Sequence, residues 1–284
     1  MPELPEVETI RRQLEPALSG RSVVASGSHP SPRFVDAVLL DGAHIVSLRR
    51  RGKYLIADTT RAGGGRAELV VHLGMTGSLR AHPLGPVTGI HGIADPTATD
   101  PYVRAWWDLD DRTRLVFRDV RRFGRIALVD PGEYDSLPTL AAMGPDVFDD
   151  AFTPECLAAA MRSSRRHVKT MLLSQRAVAG VGNIYADEAL WRVGVNPRDR
   201  VLSRARSAAL RDAVRAVMTE SIERGGTTLR DYVDANGRSG DNVGNLRCYG
   251  RGGKPCHRCG TPLARGVLDG RTTTWCAACQ PRRR

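Results

Sequence analysis

Apolar residues in the N-terminal segment follow a helical period. They recur at every third or fourth position, at Val7, Ile10, Leu14 and Leu18. Pro5 is compatible with a first turn, because the N–H groups there have no partner within a helix. The pattern predicts a helix over residues 5–18, with residues 1–4 just outside it.

Short apolar runs separated by turn residues continue to about Asp130. In chain order they read VVASG, FVDAVLL, HIVSL, KYLIAD, AELVVHLGM, RLVF and RIALV. Runs of this length between turns are typical of antiparallel strands, so this region is predicted to form a sandwich or barrel. The stretch 82–99, rich in proline, glycine and histidine, is predicted to be an exposed loop.

From about Asp149 the apolar period becomes helical again. The three segments read PECLAAAMRSSRRHVKTMLLSQ, NIYADEALWRV and SRARSAALRDAVRAVMTESIERG. Their predicted core-facing positions include Leu157, Met161, Leu190, Leu210 and Val214. Beyond them, RDYVDANGRSGDNVGNLRCYGRGG is polar and glycine-rich and offers few groups for a core, which predicts a mobile loop.

A glycine-rich turn precedes the second of these helices. Gly180 and Gly182 allow a tight turn and place Asn183 at the helix N-cap. The free N–H groups of that helix end could bind a phosphate. Ordinary capping and turn formation explain the same residues without any ligand.

Four of the six cysteines form two C-x2-C pairs near the C-terminus, at Cys256, Cys259, Cys276 and Cys279. Sixteen residues separate the pairs, which is the spacing of a four-cysteine zinc ribbon. His257 is an alternative ligand, but two complete cysteine pairs already saturate a tetrahedral ion. We therefore predict one structural zinc ion per chain and a reducing compartment rather than disulfides.

The residues between the cysteine pairs predict a hairpin. TPLARGVLDGRTTTW contains two short strands with a turn near Asp269 and Gly270. This arrangement puts Arg271 near the tip of the hairpin.

Charge narrows the choice of partner. The 284 residues carry a formal net charge of +11, which favours a polyanion, and nucleic acid over a membrane. No window approaches the roughly 18 apolar residues of a spanning helix. The N-terminus carries acids where a signal peptide would carry bases, so a cytoplasmic location is expected.

Lysine is rare among the basic residues. Only three of the 42 are lysines, namely Lys53, Lys169 and Lys254. Lys53 lies just after a run of arginines in LRRRGKYLI, which suggests a task that a guanidinium cannot perform, such as giving and taking a proton. A further phosphate contact explains its position equally well.

Three glutamates lie at the start of this basic chain, in MPELPEVET. If Met1 is removed, the secondary amine of Pro2 lies beside Glu3. An α-amino group has a pKa of roughly 8, against roughly 10.4 for lysine, so more of it is nucleophilic near neutral pH. A secondary amine next to a carboxylic acid is a possible reaction centre.

Several stretches together resemble the bacterial formamidopyrimidine-DNA glycosylases. They are MPELPEVET, RRGKYL, HLGMTGSLR, RRFG, GVGNIYADEAL, SIERGGTTLRDY, YGRGGKPC and the paired cysteines, in family order along almost the whole chain. The resemblance implies an α+β multidomain fold. Its expected parts are a catalytic β-sandwich with an N-terminal helix (1–130), a helix-two-turns-helix DNA-binding domain (131–237), a lesion-capping loop (238–247) and a zinc finger (248–284).

The same resemblance implies a bifunctional enzyme, expected to act as a monomer on double-stranded DNA that contains damaged bases or abasic sites. Pro2 would attack the sugar C1′ and expel an oxidised purine such as 8-oxoguanine or a formamidopyrimidine. Glu3 would protonate the sugar ring oxygen, and Glu6 would orient the site or the terminus. Glu8 has no family role, and its charge could complement the positive end of the helix.

The resemblance also implies roles for strand cleavage and DNA binding. Lys53 matches the proton donor for β-elimination, and Arg271 matches the residue for δ-elimination. Met75, Arg121 and Phe123 match the family residues that fill the hole left by the extruded base. The sequence alone, however, favours core positions for Met75 and Phe123. Asn183 and the finger would contact phosphates.

This chain departs from the family pattern at several positions. Val120 replaces the usual proline before RRFG, and Tyr102 with Arg104 replaces a histidine pair that contacts DNA. Lysines that are common in the family before the helix-two-turns-helix are replaced, which leaves Arg165 and Arg166 as candidates. The loop over the extruded base reads NGRSGDNVGN and lacks the usual aromatic pair.

Two other functions compete with excision of oxidised purines. A sister glycosylase specific for oxidised pyrimidines shares the fold and the Pro2 chemistry; Leu4 and RRFG argue against it, while the altered loop favours it. A zinc-ribbon protein that bends damaged DNA without cutting it would fit the charge and the cysteines. The intact set of Pro2, Glu3, Lys53 and Arg271 argues against a non-catalytic protein.

Overall fold

The computed structural model of the chain describes residues 1–84 and 99–282. It divides into two compact units, and each is described by itself. The first unit comprises Met1–Pro138 with Gly225–Asp241, and the second comprises Thr139–Arg224 with Asn242–Arg284. Most of the loop predicted over 82–99 lies outside the described residues.

The first unit is a β-sandwich with a helix, as the sequence predicted. Helix α1 (Leu4–Leu18) precedes two four-stranded antiparallel sheets, ordered β1-β6-β7-β5 and β2-β3-β4-β8. The strands are β1 (Val23–Ser28), β2 (His44–Arg51), β3 (Tyr54–Thr60), β4 (Arg66–His72), β5 (Gly77–Pro83), β6 (Val103–Leu109), β7 (Thr113–Asp119) and β8 (Arg125–Val129).

The apolar face of α1 lies in the core of this sandwich. The four residues that set its helical period are all buried there, together with side chains of both sheets such as Trp107 and Phe117. Because burial of one apolar side chain contributes about 1.5–3 kcal/mol, this face fixes α1 against the sheets. The N-terminal residues are thereby held at a defined position.

The segment FVDAVLL was predicted to be a strand, but it forms a 3₁₀ helix over Val35–Leu40. Its buried residues are Phe34, Ala37 and Leu40, which follow one another at intervals of three. That interval is the 3₁₀ period, and the residues between face solvent. Two strands were missed, β5 and β6. In β6 the buried charge Asp108 breaks the apolar run, and Arg114 on β7 pairs with it at 2.5 Å.

The second unit is helical with a terminal hairpin. Its helices are α3 (Pro154–Arg162), α4 (Val168–Leu173), α5 (Asn183–Arg192) and α6 (Arg204–Glu223), and a short helix α2 (Pro138–Ala141) begins at its boundary. Strands β9 (Ala264–Leu268) and β10 (Arg271–Trp275) pair antiparallel. All five predicted core positions of the helical segments are buried.

Two local predictions in this unit need correction. The first helical segment splits into α3 and α4, because the polar run Ser163–Arg166 offers no apolar period and His167 is extended. Asn183 is the first residue of α5, and Gly182 is its N-cap.

Among the helices that the structure describes, none combines the length and the apolar character that a membrane span requires.

The glycine-rich segment after α6 has more anchors than its composition suggests. Tyr232 and Ala235 are buried in the core of the first unit. Gln13 of α1 donates to Asp234 at 2.8 Å and accepts from the Ala235 N–H at 2.9 Å. These contacts correct the prediction that the segment has few core groups, and they tie residues 225–241 to α1.

Candidate active site and zinc centre

The N-terminal carboxylates form a buried cap on α1. Glu3 is the N-cap, and Glu6 Oε2 accepts its backbone N–H at 2.7 Å in a capping box. Pro2, Glu3 and Glu6 are all buried, whereas Met1 is exposed. The capping box fixes the backbone of Glu3 and therefore fixes the direction in which Pro2 leaves the helix.

Glu6 also holds a second segment of the chain. Its other oxygen, Oε1, accepts the Thr227 N–H at 2.8 Å. The Tyr232 hydroxyl, which donates to the Gly225 carbonyl at 3.0 Å, lies 3.4 Å from the Glu6 carbonyl. Gly226 has a φ of +91°, and a Cβ there would meet Glu6 Cγ at 3.1 Å. One carboxylate therefore joins the N-terminus to the segment that follows α6.

Glu8 connects α1 with the turn that carries Lys53. The Arg50 guanidinium donates to Glu8 Oε2 at 3.0 Å and to the Gly52 carbonyl at 2.9 Å. Arg11 and Arg12 also pair with Glu8. The sequence suggested only an interaction with the helix end, but this carboxylate has three arginine partners. It fixes the β2–β3 turn, in which Lys53 is buried.

Because of this network, the free energy of unfolding is predicted to fall at acid pH. Burial opposes ionisation of Glu8, but hydrogen bonds from Arg11 and Arg12 and the charge of Arg50 outweigh it and lower its pKa to about 2. A lowered folded-state pKa gives stability that is full above about pH 5 and is lost as pH falls toward 2. Glu8→Gln should therefore cost about 2 kcal/mol at pH 7, after allowance for solvent screening.

Unfolding free energies of the wild type and Glu8→Gln, measured from pH 7 to pH 3, test this prediction. The difference between them should shrink as the pH falls. A difference that is the same at both ends would contradict the assigned network.

His72 lies close to Lys53 and is neutral at physiological pH. Burial, together with the positive charge of Lys53, lowers the pKa of His72 to about 4. Its Nδ1 accepts the Gly74 N–H at 3.2 Å, and its ring packs against Tyr54 with centroids 4.7 Å apart. The Lys53 ammonium therefore has an uncharged imidazole as a neighbour.

Asp119 holds two exposed loops together. Its carboxylate accepts the Thr76 hydroxyl at 2.6 Å and the Gly124 N–H at 2.7 Å, and Thr76 Oγ1 in turn accepts the Arg121 N–H at 3.1 Å. A Cβ on Gly74 would meet the Gly124 nitrogen at 2.5 Å. The Met75 loop and the Arg121–Phe123 loop are thus one clamped surface.

The large side chains on this surface point to solvent. Met75 is 37% exposed and Phe123 is 47% exposed. The sequence alone favoured buried core positions for both residues, and that prediction is therefore wrong. The Arg121 guanidinium lies 4.7 Å from the centre of the Phe123 ring. Tyr102 is also exposed, and Arg118 stacks on its ring at 4.9 Å.

The four cysteines of the second unit form one cluster. Their Sγ atoms all lie within 4.8 Å of one another, and Cys259 and Cys276 are 3.5 Å apart. Zn–S bonds of about 2.3 Å in a tetrahedron require sulfurs about 3.8 Å apart, so the cluster fits zinc. All four ligands would be cysteines, which leaves no open coordination position, so the ion would be structural.

A buried ion pair holds the hairpin that carries Arg271. Lys169 and Asp187 are each 1% exposed, and Lys169 Nζ lies 2.7 Å from Asp187 Oδ1. Lys169 also donates to the Thr272 carbonyl and the Thr273 hydroxyl, both at 2.9 Å. Burial raises the pKa of Asp187 to about 7, against the opposing charge of Lys169.

Asp187 and two further side chains of α5 hold β10 and the residues before the finger. Asp187 Oδ2 accepts the Thr274 N–H at 2.9 Å, and Asn183 Nδ2 donates to the Thr272 carbonyl at 3.0 Å. Glu188 accepts three consecutive backbone N–H groups, from residues 247, 248 and 249. Arg271 itself is exposed at the start of β10. Helix α5 therefore holds strand β10 and, separately, residues 247–249 that precede the finger.

Sequence reasoning missed Lys169, Asp187 and Glu188. The rarity of lysine is a signal that Lys169 shares with Lys53. Arg165 and Arg166, which the sequence analysis named as candidate DNA contacts, lie exposed between α3 and α4. Nothing in the sequence indicates that Asp119 joins two loops, because its partners depend on strand pairing.

Comparison with known proteins agrees with this architecture. Residues 1–126 match the Formamidopyrimidine-DNA glycosylase N-terminal domain, residues 143–233 the Formamidopyrimidine-DNA glycosylase H2TH domain, and residues 253–282 the Zinc finger found in FPG and IleRS. A formamidopyrimidine-DNA glycosylase of Deinococcus radiodurans is 40% identical over 293 residues, covering 100% of this chain and 98% of the relative.

Solved structures give the same result. The Thermus thermophilus MutM (Fpg) protein superposes with a TM-score of 0.85 at 40% identity, over 98% of both chains. A Lactococcus lactis Fpg mutant in complex with Fapy-dG-containing DNA superposes with a TM-score of 0.82 at 30% identity, over 99% of this chain and 100% of that one. The chain therefore belongs to the formamidopyrimidine-DNA glycosylase family and is a DNA glycosylase and abasic-site lyase of base-excision repair, with one structural zinc ion.

Proposed function

We propose that this enzyme excises oxidised purines, chiefly 8-oxoguanine and formamidopyrimidines, through a covalent intermediate on Pro2, and then cuts the abasic strand by β,δ-elimination. The observation that carries the proposal is the buried carboxylate cap at Pro2, in which Glu3 is held by Glu6. A carboxylic acid shielded from water beside a secondary amine provides the nucleophile and the acid that this chemistry requires.

The first step needs the terminal amine. Removal of Met1, whose side chain is exposed, frees the Pro2 nitrogen. Its lone pair attacks the sugar C1′, the C1′–N bond to the base breaks, and the base leaves with a proton. Glu3 protonates the ring oxygen as the sugar opens, and an iminium forms between Pro2 and C1′. Glu6 keeps Glu3 in position.

Strand cleavage follows from the charge of the iminium. The cation acidifies the C2′ hydrogen, so loss of that proton expels the 3′ phosphate by β-elimination. Lys53, in the turn held by Glu8 and Arg50, is the proposed proton donor. Arg271, exposed at the start of β10, is proposed to assist the second elimination, which expels the 5′ phosphate.

The DNA contacts are assigned to exposed groups. Because C1′ is reached only when the lesion leaves the stack, the clamped surface of Met75, Arg121 and Phe123 is proposed to fill the hole, with Phe123 as the wedge. The proposed phosphate contacts are Tyr102, Arg165 and Asn183. In Asn183 the amide nitrogen already donates to Thr272, so its second N–H and the α5 amides would face the phosphate.

Substrate and location follow the relatives. Lactococcus lactis Fpg has been solved with Fapy-dG-containing DNA and with abasic-site DNA. Duplex DNA with these lesions is the proposed partner of this chain, which would act as a monomer. Because the relatives are bacterial, the proposed location is the bacterial cytoplasm, at the nucleoid.

One observation favours oxidised pyrimidines as a second substrate class. Lactococcus lactis Fpg has also been solved with an oxidized-pyrimidine-containing DNA. The NGRSGDNVGN segment of this chain lacks an aromatic pair to cover the base. A less selective cover would admit a smaller lesion, so some excision of oxidised pyrimidines is expected beside the purine activity.

Borohydride trapping tests the proposal directly. With duplexes that carry 8-oxoguanine or an oxidised pyrimidine, reduction should leave a covalent protein–DNA adduct, and the purine lesion should trap faster. Peptide mapping should locate the adduct on Pro2. An adduct on Lys53, or no adduct with either lesion, would refute the mechanism.

A further inference from the structure

The zinc cluster has a neighbour on α5. Trp191, in the last turn of that helix, is 8% exposed and packs against Cys256, Cys276 and Leu263. Its indole Nε1 lies 3.4 Å from the Cys256 sulfur, within the range of an N–H···S hydrogen bond, and the pair is buried. An indole N–H can only donate, so in this pair the sulfur is the acceptor.

Arg258 packs on the face of this indole and fixes its orientation. Arg258 lies between Cys256 and Cys259 in sequence, and its guanidinium is 4.3 Å from the centre of the Trp191 ring. The same guanidinium donates to the Trp191 carbonyl at 2.9 Å and to the Arg192 carbonyl. The indole is therefore enclosed by the C-x2-C loop, with a cation on its face and a sulfur at its N–H.

The physical consequence concerns the zinc-bound thiolate. A thiolate ligand carries negative charge, and a hydrogen bond to the sulfur stabilises that charge and opposes the protonation that precedes metal loss. Groups that hydrogen-bond metal ligands are typically worth about 10–100-fold in metal affinity. The indole N–H does not titrate between pH 5 and 8, so its donation persists throughout that range.

We propose that Trp191 is a positioning residue of the zinc site, which donates a hydrogen bond to the Cys256 thiolate and slows loss of the metal. Helix α5 then supports the finger at two ends. Asn183 and Asp187 hold the hairpin strand β10, and Trp191 holds the metal-binding end. Loss of the indole N–H should weaken zinc retention while leaving the four ligands in place.

Zinc transfer from the full-length protein to a chromogenic chelator measures retention. Trp191→Phe keeps an aromatic ring but removes the N–H, and it should release zinc about 10–100-fold faster than the wild type. Trp275→Phe is the control, because Trp275 also lies in the finger and stacks with Arg198 at 5.1 Å. The control should release zinc at close to the wild-type rate.

Cobalt substitution separates the hydrogen bond from packing. In the Co²⁺ form, loss of an N–H donor raises the energy of the thiolate electrons, so the sulfur-to-cobalt charge-transfer band should move to longer wavelength in Trp191→Phe. If that variant does not fold, replacement of the Trp191 indole by benzothiophene keeps the ring shape and should give the same shift. The proposal would be overturned if Trp191→Phe released zinc at the wild-type rate. It would also be overturned if that variant released zinc faster while its charge-transfer band did not move.

Discussion

Lys169→Met is expected to destabilise the hairpin that carries Arg271 by about 3–5 kcal/mol, because the buried Asp187 carboxyl loses its partner and must either stay charged or take up a proton. The substitution also removes two donors to β10, at the Thr272 carbonyl and the Thr273 hydroxyl. Hydrogen exchange of peptides from β9 and β10 should accelerate by about a hundredfold or more. Exchange in β2 and β3, in the other unit, should not change.

Two further variants test whether the loss of hairpin stability in Lys169→Met comes from the unpaired charge. Lys254→Met removes an exposed lysine of the same finger and should change stability by less than about 0.5 kcal/mol. The double variant Lys169→Met with Asp187→Asn keeps an acceptor for the Thr274 N–H but removes the unpaired charge, so it should recover part of the loss. If Lys169→Met alone leaves exchange in β10 unchanged, the ion pair does not hold the hairpin.

Features set by local spacing were predictable from the sequence. The period of Val7, Ile10, Leu14 and Leu18 gave α1 to within one residue at its start. The two C-x2-C pairs gave a cluster whose four sulfurs meet, because each pair is short and the hairpin between them is local. Such features depend on residues that are close in the chain.

Contacts between distant segments could not be predicted in the same way. Glu6 binds Thr227, and Glu8 binds Arg50, across long intervals of sequence. Arg11 and Arg12 are local partners of Glu8, but among the other basic residues of the chain only the packing of α1 on β2 selects Arg50. Tyr232 shows the same effect, because a single buried aromatic outweighs the polar composition of its segment.

The roles of two basic side chains in strand cleavage should separate by substitution. Lys53→Arg keeps the positive charge, but a guanidinium has a pKa above about 12 and does not exchange protons near neutral pH. The variant should still bind an abasic duplex yet cut it about a hundredfold more slowly, in line with typical general acid-base contributions. Lys254→Arg is the matched control, since it makes the same exchange at an exposed lysine, and it should cut normally.

Arg271→Ala should fail at a different step from Lys53→Arg. Because Pro2, Glu3 and Lys53 are intact, base release and β-elimination should proceed, and the product with an unsaturated sugar fragment on its 3′ end should accumulate. Gel separation of that product from the 3′ phosphate produced by δ-elimination distinguishes the two variants. A normal cutting rate in Lys53→Arg would mean that Lys53 is only a phosphate contact. A normal yield of 3′ phosphate in Arg271→Ala would mean that the tip of the hairpin takes no part in the second elimination.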